Sequence, residues 1–311
     1  MLKHQAERNA ILQKIRGKGR TAKPDTNRFL FFWRRNFFYD YRIYLKTAVC
    51  GMLANEVKNM RGVLAITNQK GGVGKTTTAV NLSAYLASMG KKVLLLDIDP
   101  QGNTTSGIGL DKDSVKGCIY DALINEVFVK QIIYKTGQAG LYIIPATIQL
   151  AGAEIELVPT LSREVRLRTV IEPVRDAYDF IIIDCPPSLG LLTLNALTAA
   201  DTVLVPIQCE YYALEGLGQL VNTINLVKKH LNKDLTIGGV LLTMYDTRTN
   251  LSYQVAEEVK RYFGELVFQA VIPRNVRLSE APSHGQAIIE YDPKSKGAEI
   301  YKELAEEVIK R

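Results

Sequence analysis

Cysteine is sparse in this chain and badly spaced for either of its structural uses. Cys50, Cys118, Cys185 and Cys209 form no C-x-x-C pair, and none of the three histidines stands at metal-ligand spacing to them. That pattern points away from a disulfide framework and from a zinc site, and it suits a reducing cytoplasm. Long apolar runs are missing too: none approaches the roughly 18 residues that span a bilayer. No secretory apolar core precedes a small-residue cleavage site, so no membrane is expected. Charge of one sign is scarce where it would count. Of 39 basic and 32 acidic side chains, the first 59 residues hold 13 and 4, which leaves 26 and 28 in the rest. The basic excess belongs to the leader and does not make the body a basic nucleic-acid binder.

Residues 1–28 are polar and basic without hydrophobic period, and residues 29–44, FLFFWRRNFFYDYRIY, hold nine aromatics in sixteen positions. This leader reads as a membrane or nucleic-acid contact, an accessory segment, or a stretch that is not translated. The last is favoured. Met60 precedes Arg61 and the first apolar run, where a compact domain would begin, so residues 1–59 are expected to be a leader or start-site artefact and 60–311 a single domain. Peptides from residues 1–50 in the native protein would overturn that reading.

The stretch Asn68 to Thr78, NQKGGVGKTTT, lies between an apolar run and a helical pattern. Three glycines in four positions, Gly71, Gly72 and Gly74 around Val73, let the backbone turn its N–H groups around a triphosphate. The following helix then points its positive end at the same anion. Lys75 is placed for the β and γ phosphates, and Thr76 offers a hydroxyl to Mg²⁺. ATP and Mg²⁺ are therefore the expected cofactors. The strict pattern G-x-x-x-x-G-K-[ST] fails, because Gln69 stands where its first glycine belongs. What fits is a variant with a second lysine, Lys70, five residues before the first.

Apolar runs alternate with helical patterns from Arg61 onward: strands over 63–67, 93–96, 141–145, 180–184, 202–206, 235–244 and 267–272, and helices over 76–89, 162–178, 213–230, 250–263 and 297–309, with a variable helical stretch over 114–135. Runs of this kind, buried on both faces, predict a doubly wound, mostly parallel α/β sheet with helices on both sides. Chemistry in such sheets gathers at the carboxyl ends of the strands. Asp184 ends one of them, in the position of a carboxylate near Mg²⁺. Asp97 and Asp99 end another, and only one of them is expected to face the nucleotide fully.

The motifs K-G-G-x-G-K-T-T, D-x-D-P-Q-G-N and the segments LTMYDTR (242–248) and IPRNVRLSEAPSHG (272–285) resemble the ParA/Soj family of deviant Walker ATPases, over about residues 61–311. The resemblance implies that Asp99 positions the attacking water and Asp97 stands closer to the metal, with Thr76 and Asp184. It implies that Lys70 reaches the phosphates of a partner subunit across a two-fold ATP-dependent homodimer. Thr77 should join the phosphate site, Pro273 and its neighbour Asn275 the adenine pocket, and Arg248 and Arg277 a surface for non-specific double-stranded DNA. A ParB-type centromere-binding partner and a nucleoid location follow from the same resemblance.

Rival functions are weaker. A membrane-cycling ATPase of the MinD kind needs a free C-terminal amphipathic helix with a basic polar face, whereas residues 297–311 carry four glutamates and read as a docked helix. A redox ATPase like the nitrogenase iron protein needs cysteines in other contexts, and a dead scaffold would have no reason to keep Lys70, Lys75, Thr76, Asp99 and Asp184 together.

Overall fold

The computed structural model describes residues 59–210 and 213–311. The leader, apart from Asn59, lies outside the described residues. Apolar runs of four to ten residues become strands β1 (Gly62–Ile66), β2 (Val93–Asp97), β4 (Leu141–Ile144), β5 (Phe180–Asp184), β6 (Thr202–Gln208), β7 (Thr236–Tyr245) and β8 (Val267–Pro273), with the short β3 (Tyr134–Lys135) at one edge. Their order is β3-β4-β2-β5-β1-β6-β7-β8. Only β3 runs antiparallel to its neighbour; the remaining pairs are parallel. Strand β1 thus sits centrally between β5 and β6, and crossovers leave it toward both edges. That is where a ligand crevice opens in such sheets.

Two cores follow from the pleat. Leu64, Ile66, Leu95, Ile182 and Leu204 face a layer built from helices α1 (Lys75–Ser88) and α11 (Lys296–Lys310). Their alternates Val63, Ala65, Leu94, Leu96, Ile181 and Val203 are also fully or almost fully buried, against the opposite layer. That layer includes α6 (Leu191–Ala199) and α7 (Ala213–His230). Burial on both faces explains why the strands read as continuous apolar runs. Helix α11 packs on β8 and α1, and its apolar side (Ile300, Tyr301, Leu304, Ala305 and Val308) is buried there. The C-terminal amphipathic face is therefore spent on the core. No helix among the described residues is long and apolar enough to cross a membrane.

One expected element is corrected. The continuous helix over 162–178 is instead three pieces: a 3-10 turn at Arg163–Val165, α5 (Arg166–Ile171) and a second 3-10 stretch at Glu172–Ala177. Pro173 accounts for the break after Ile171, since it has no N–H to donate and its ring crowds the preceding turn. Five further helices lie outside the sequence pattern: α2 (Asn103–Gly107), α4 (Leu150–Glu156), α6, α9 (Val276–Glu280) and α10 (Ile288–Tyr291). The remaining helices are α3 (Ile119–Ile124) and α8 (Asn250–Phe263).

Candidate active site

The loop between β1 and α1 wraps an open space. Gly72 and Gly74 take φ of 72° and 89°, which a side chain would resist, and a Cβ on Gly71 or Gly72 would meet nothing within 4 Å. No packing contact demands those two glycines, and the space beside them is open. The loop is pinned from below: Thr243 Oγ1 on β7 donates to the Val73 carbonyl (2.8 Å), and Asn68 Nδ2 donates to the Pro206 carbonyl (2.7 Å). Asn68 Oδ1 in turn accepts from the Lys70 amide.

Lys75 is buried at the first turn of α1, where its Nζ donates to the Lys70 carbonyl at 3.2 Å. Burial lowers its pKa, while the charges of Asp184 and Asp99 pull it back up. Asp97 and Asp184 end neighbouring strands in direct register. Asp184 Oδ2 accepts from Thr76 Oγ1 (2.7 Å) and Thr104 Oγ1 (2.6 Å). Its other oxygen, Oδ1, is buried without a hydrogen-bond partner. An orphaned carboxylate oxygen beside a threonine hydroxyl is a set of hard oxygen donors that fits Mg²⁺ and its waters. Asp97 is held differently: Oδ2 accepts from both the amide and the hydroxyl of Thr105 (2.9 and 2.8 Å), and Oδ1 from the Asp99 amide (3.1 Å).

Asp99 lies two residues past the end of β2, so pleat alternation does not govern where it points. It is 8% exposed, and Oδ1 accepts from the Gln101 amide. Lys70 is not free: its Nζ pairs with Glu210 Oε2 at 3.3 Å, and Gln208 Nε2 donates to the other oxygen of that carboxylate. Beside the loop a cavity of about 360 Å³ is lined by Gly74, Thr77, Thr243, Met244, Pro273, Arg274, Asn275 and Tyr301 among others. Asn275 Oδ1 is committed to the Arg277 amide (2.8 Å), which fixes its side-chain amide at the pocket's rim. Arg248 and Arg277 stand apart from the loop cluster on exposed surface. The first is bonded to both oxygens of Asp246, and the second pairs with Glu280 and Asp292.

Residues 61–237 match the family model of an AAA domain. Soj of Bacillus subtilis, a sporulation initiation inhibitor protein, is 68% identical over 249 residues, which are 80% of this chain and 98% of that one. The chromosome partitioning protein ParA of Myxococcus xanthus is 57% identical over 249 residues, 80% of this chain and 88% of that one. The chain belongs to the ParA/Soj family of chromosome-partitioning ATPases. The fold is also similar to the structure of cobyrinic acid a,c-diamide synthase from Mycobacterium smegmatis with a bound ATP analog and magnesium, at a TM-score of 0.69 and 41% identity over 79% of this chain and 93% of that one.

Sequence reasoning misses several parts of this ParA/Soj site. Thr104 and Thr105, which orient both carboxylates, sit on α2 in a run of small polar residues that carries no hydrophobic period. Their signal is weak: two hydroxyls directly after the D-x-D-P-Q-G-N segment. Tyr301 reaches the cavity from the far end of the chain and shares a hydrogen bond with Thr78 (3.2 Å). Glu210, the partner of Lys70, lies 140 positions away in sequence, so nothing local could indicate it.

Burial pushes Asp97 up to about 7, with the neighbouring Asp184 charge adding to it, and burial likewise pushes Asp184 up to about 6. Between the ordinary value near 4 and these, the folded metal-free chain binds more protons than the unfolded one, so stability falls as pH rises through that window. Asp184→Asn should remove part of this penalty, because its oxygen can serve Thr76 and Thr104 while its NH₂ takes the place of the unpartnered Oδ1. In EDTA at pH 8 the variant should be about 1–2 kcal/mol more stable, roughly 3–6 °C in melting temperature, with the gain shrinking toward pH 5. A difference that does not change with pH would contradict the assignment.

Proposed function

We propose that this protein is a chromosome-partitioning ATPase of residues 60–311 whose ATP-bound homodimer holds non-specific DNA and lets go on hydrolysis. The observation that carries the reading is the grouping of buried Lys75 and Asp184 with half-buried Thr76, and an orphaned carboxylate oxygen, at a glycine loop that borders open space. ATP and Mg²⁺ are its cofactors; bound Mg²⁺ supplies charge neutralisation for the β and γ phosphates. Backbone amides of Gly71 to Thr77 cradle the phosphates, and Lys75 neutralises them. Thr76, Asp184 and the Asp97 beside it hold the metal shell. Pro273 and Asn275 border the base.

Asp99 orients the attacking water, which is most of what an ATPase must do. Lys70 crosses to the phosphates of the second subunit. Its pair with Glu210 is half-exposed and worth at most about 1 kcal/mol, so a triphosphate displaces it readily. Arg248 and Arg277 contact DNA phosphates, their carboxylate partners being exchanged in the same way. A ParB-type protein at centromere-like sites stimulates hydrolysis, and the cycle runs in the cytoplasm on the nucleoid.

Sedimentation on random-sequence DNA with ATP, with ADP and without nucleotide tests this. Binding should require ATP and fade as salt rises. Arg248→Glu, at a side chain 83% exposed, should abolish co-sedimentation while leaving ATP-dependent dimers intact. Arg248→Ala should weaken binding evenly across sequences and lower the salt slope by about one per protomer. Binding that ignores nucleotide would overturn the cycle, and normal binding by Arg248→Glu would remove that residue from the DNA surface.

A further inference from the structure

A second cavity lies at the edge of the sheet, where the carboxyl ends of β7 and the last strand, β8, meet helices α8 and α11. It holds about 490 Å³. Its floor is apolar: Leu242, Ala256 and Ile300 are buried, and Val271 and Pro273 half-buried. The strand pairing is irregular at this floor. Leu242 pairs with Val271 and Tyr245 with Pro273, so β7 carries one residue more than β8 over the interval, a bulge that interrupts the ladder. Within the bulge Met244 has a φ of 50°, a left-handed conformation that is costly for a residue with a side chain and persists only where its surroundings hold it.

The rim is charged and unbalanced. Lys260 comes from α8 and Lys296 from the first turn of α11, against a single carboxylate, Glu257. Lys260 Nζ stands 3.8 Å from Glu257 Oε1, too far for a hydrogen bond. Lys296 pairs at 2.8 Å with Glu299, which is not part of the lining, and both of those side chains are more than half exposed. Pairs so exposed are worth little and exchange readily. Lys296 also opens a 15-residue helix, whose positive end adds to the field. An apolar floor with a few polar groups at its mouth is the lining of a small-molecule site. Charge and shape together describe the ligand as an apolar body with one anionic end. A DNA phosphate has no such body to cover the floor, and a neutral apolar molecule leaves both ammonium groups unanswered.

The bulge also stands between this cavity and the one beside the phosphate loop. Leu242 and Tyr245 line the second cavity, Thr243 and Met244 line the first, and Pro273 borders both. The Tyr245 carbonyl accepts from the amide of Arg274, itself in the lining of the first cavity (3.1 Å), and Thr243 holds the glycine loop through the Val73 carbonyl. A body pressed against Leu242, Tyr245 and Pro273 therefore meets the backbone that shapes the first cavity and pins the loop.

We propose that this second cavity is an effector site for a small amphipathic anion, an aliphatic carboxylate in its simplest form, whose binding changes the affinity for nucleotide through the β7 bulge. The linkage rests on the nucleotide reading above; the site itself does not.

The test is calorimetric titration of the full chain with decanoate below its micelle concentration, with decylamine and decanol as probes of opposite and of no charge. Decanoate should bind at least about tenfold more tightly than either. The double variant Lys260→Glu, Lys296→Glu changes two side chains that are more than half exposed, so its melting temperature should match wild type, while its affinity for decanoate should fall by at least about tenfold. Saturating decanoate should shift the dissociation constant of a fluorescent ATP analogue by about fivefold or more, and the analogue should shift that of decanoate by the same factor, as linkage requires. Decylamine binding as tightly as decanoate, or a double variant that binds decanoate undiminished, would overturn the site. Binding without the reciprocal shift would overturn the effector role. A wild type that takes the ATP analogue but no decanoate would overturn the inference and leave the nucleotide reading standing, whereas one that takes decanoate but no ATP analogue would uphold the site and sink the nucleotide reading.

Discussion

Lys75→Ala should lower the affinity for ATP by at least about 100-fold, measured by titration with a fluorescent ATP analogue. The size follows from what is lost, a charge-assisted contact from a buried lysine, worth up to about 3 kcal/mol. The fold itself should scarcely notice. Lys75 is held in place at a cost: burial disfavours its charge, and its one hydrogen bond in the ligand-free state goes to the Lys70 carbonyl. Removing it relieves that cost while leaving Asp184 without its nearest positive neighbour, and Asp184 answers by holding its proton to higher pH. The melting temperature without nucleotide should accordingly stay within a few degrees of wild type, whereas the stabilisation that ATP confers should vanish. If ATP raised the melting temperature of the variant as it does that of wild type, the phosphate role of Lys75 would be wrong.

Much of this arrangement is legible in the amino-acid sequence, for specific physical reasons. A central parallel strand has to be apolar on both faces, so β2 and β5 appear in the sequence as VLLL and FIII, each with an aspartate where the run meets the crevice. The glycines of the phosphate loop are visible because two of them adopt a backbone conformation that few other residues tolerate. Helices α1, α7, α8 and α11 are also legible, being long enough for their period to show.

What escapes is short or distant. Helix α2 has five residues and no apolar stripe, yet it supplies the two threonines that fix Asp97 and Asp184. Helix α6 is buried nearly all round, its polar Thr193, Asn195 and Thr198 included, which leaves no contrast from which a period can be read. The order of strands, with β5 between β1 and β2, is set by which crossovers pack and not by any local signal. For the same reason the Lys70 and Glu210 pair, the brace of Glu154 on Gly190 and the reach of Tyr301 into the cavity beside the loop belong to tertiary structure alone. His284 stacks on Tyr291 with ring centroids 4.9 Å apart, a contact that no local signal indicates.

Asp99→Ala should separate binding from turnover. Asp99 is the one carboxylate of the three that is not locked into the metal corner: Asp184 is engaged by two threonines and Asp97 by Thr105, whereas Asp99 sits beyond the strand with one oxygen on the Gln101 amide and the other left to accept from a ligand. An acceptor so placed is free to take a hydrogen bond from a water, as the proposed role requires. Loss of a positioning or proton-accepting group of this kind typically costs about 10²- to 10⁴-fold in rate, or roughly 3–5 kcal/mol of barrier. Phosphate release by Asp99→Ala should fall by at least about 100-fold, while ATP affinity stays within about threefold of wild type, because Lys75, Thr76 and the glycine loop are untouched. The consequence for the cycle is opposite in sign at the next step. Dimers formed on ATP should persist, and the variant should remain on DNA after free ATP is removed, where wild type lets go. Asp97→Ala provides the contrast, since it removes the acceptor of the Thr105 amide and hydroxyl and should damage stability and metal binding together. If Asp99→Ala released phosphate at the normal rate, the water-positioning role would pass to another group. If it lost ATP affinity as well as turnover, Asp99 would belong with Asp97 and Asp184 as part of the metal corner, and persistence on DNA would disappear with it.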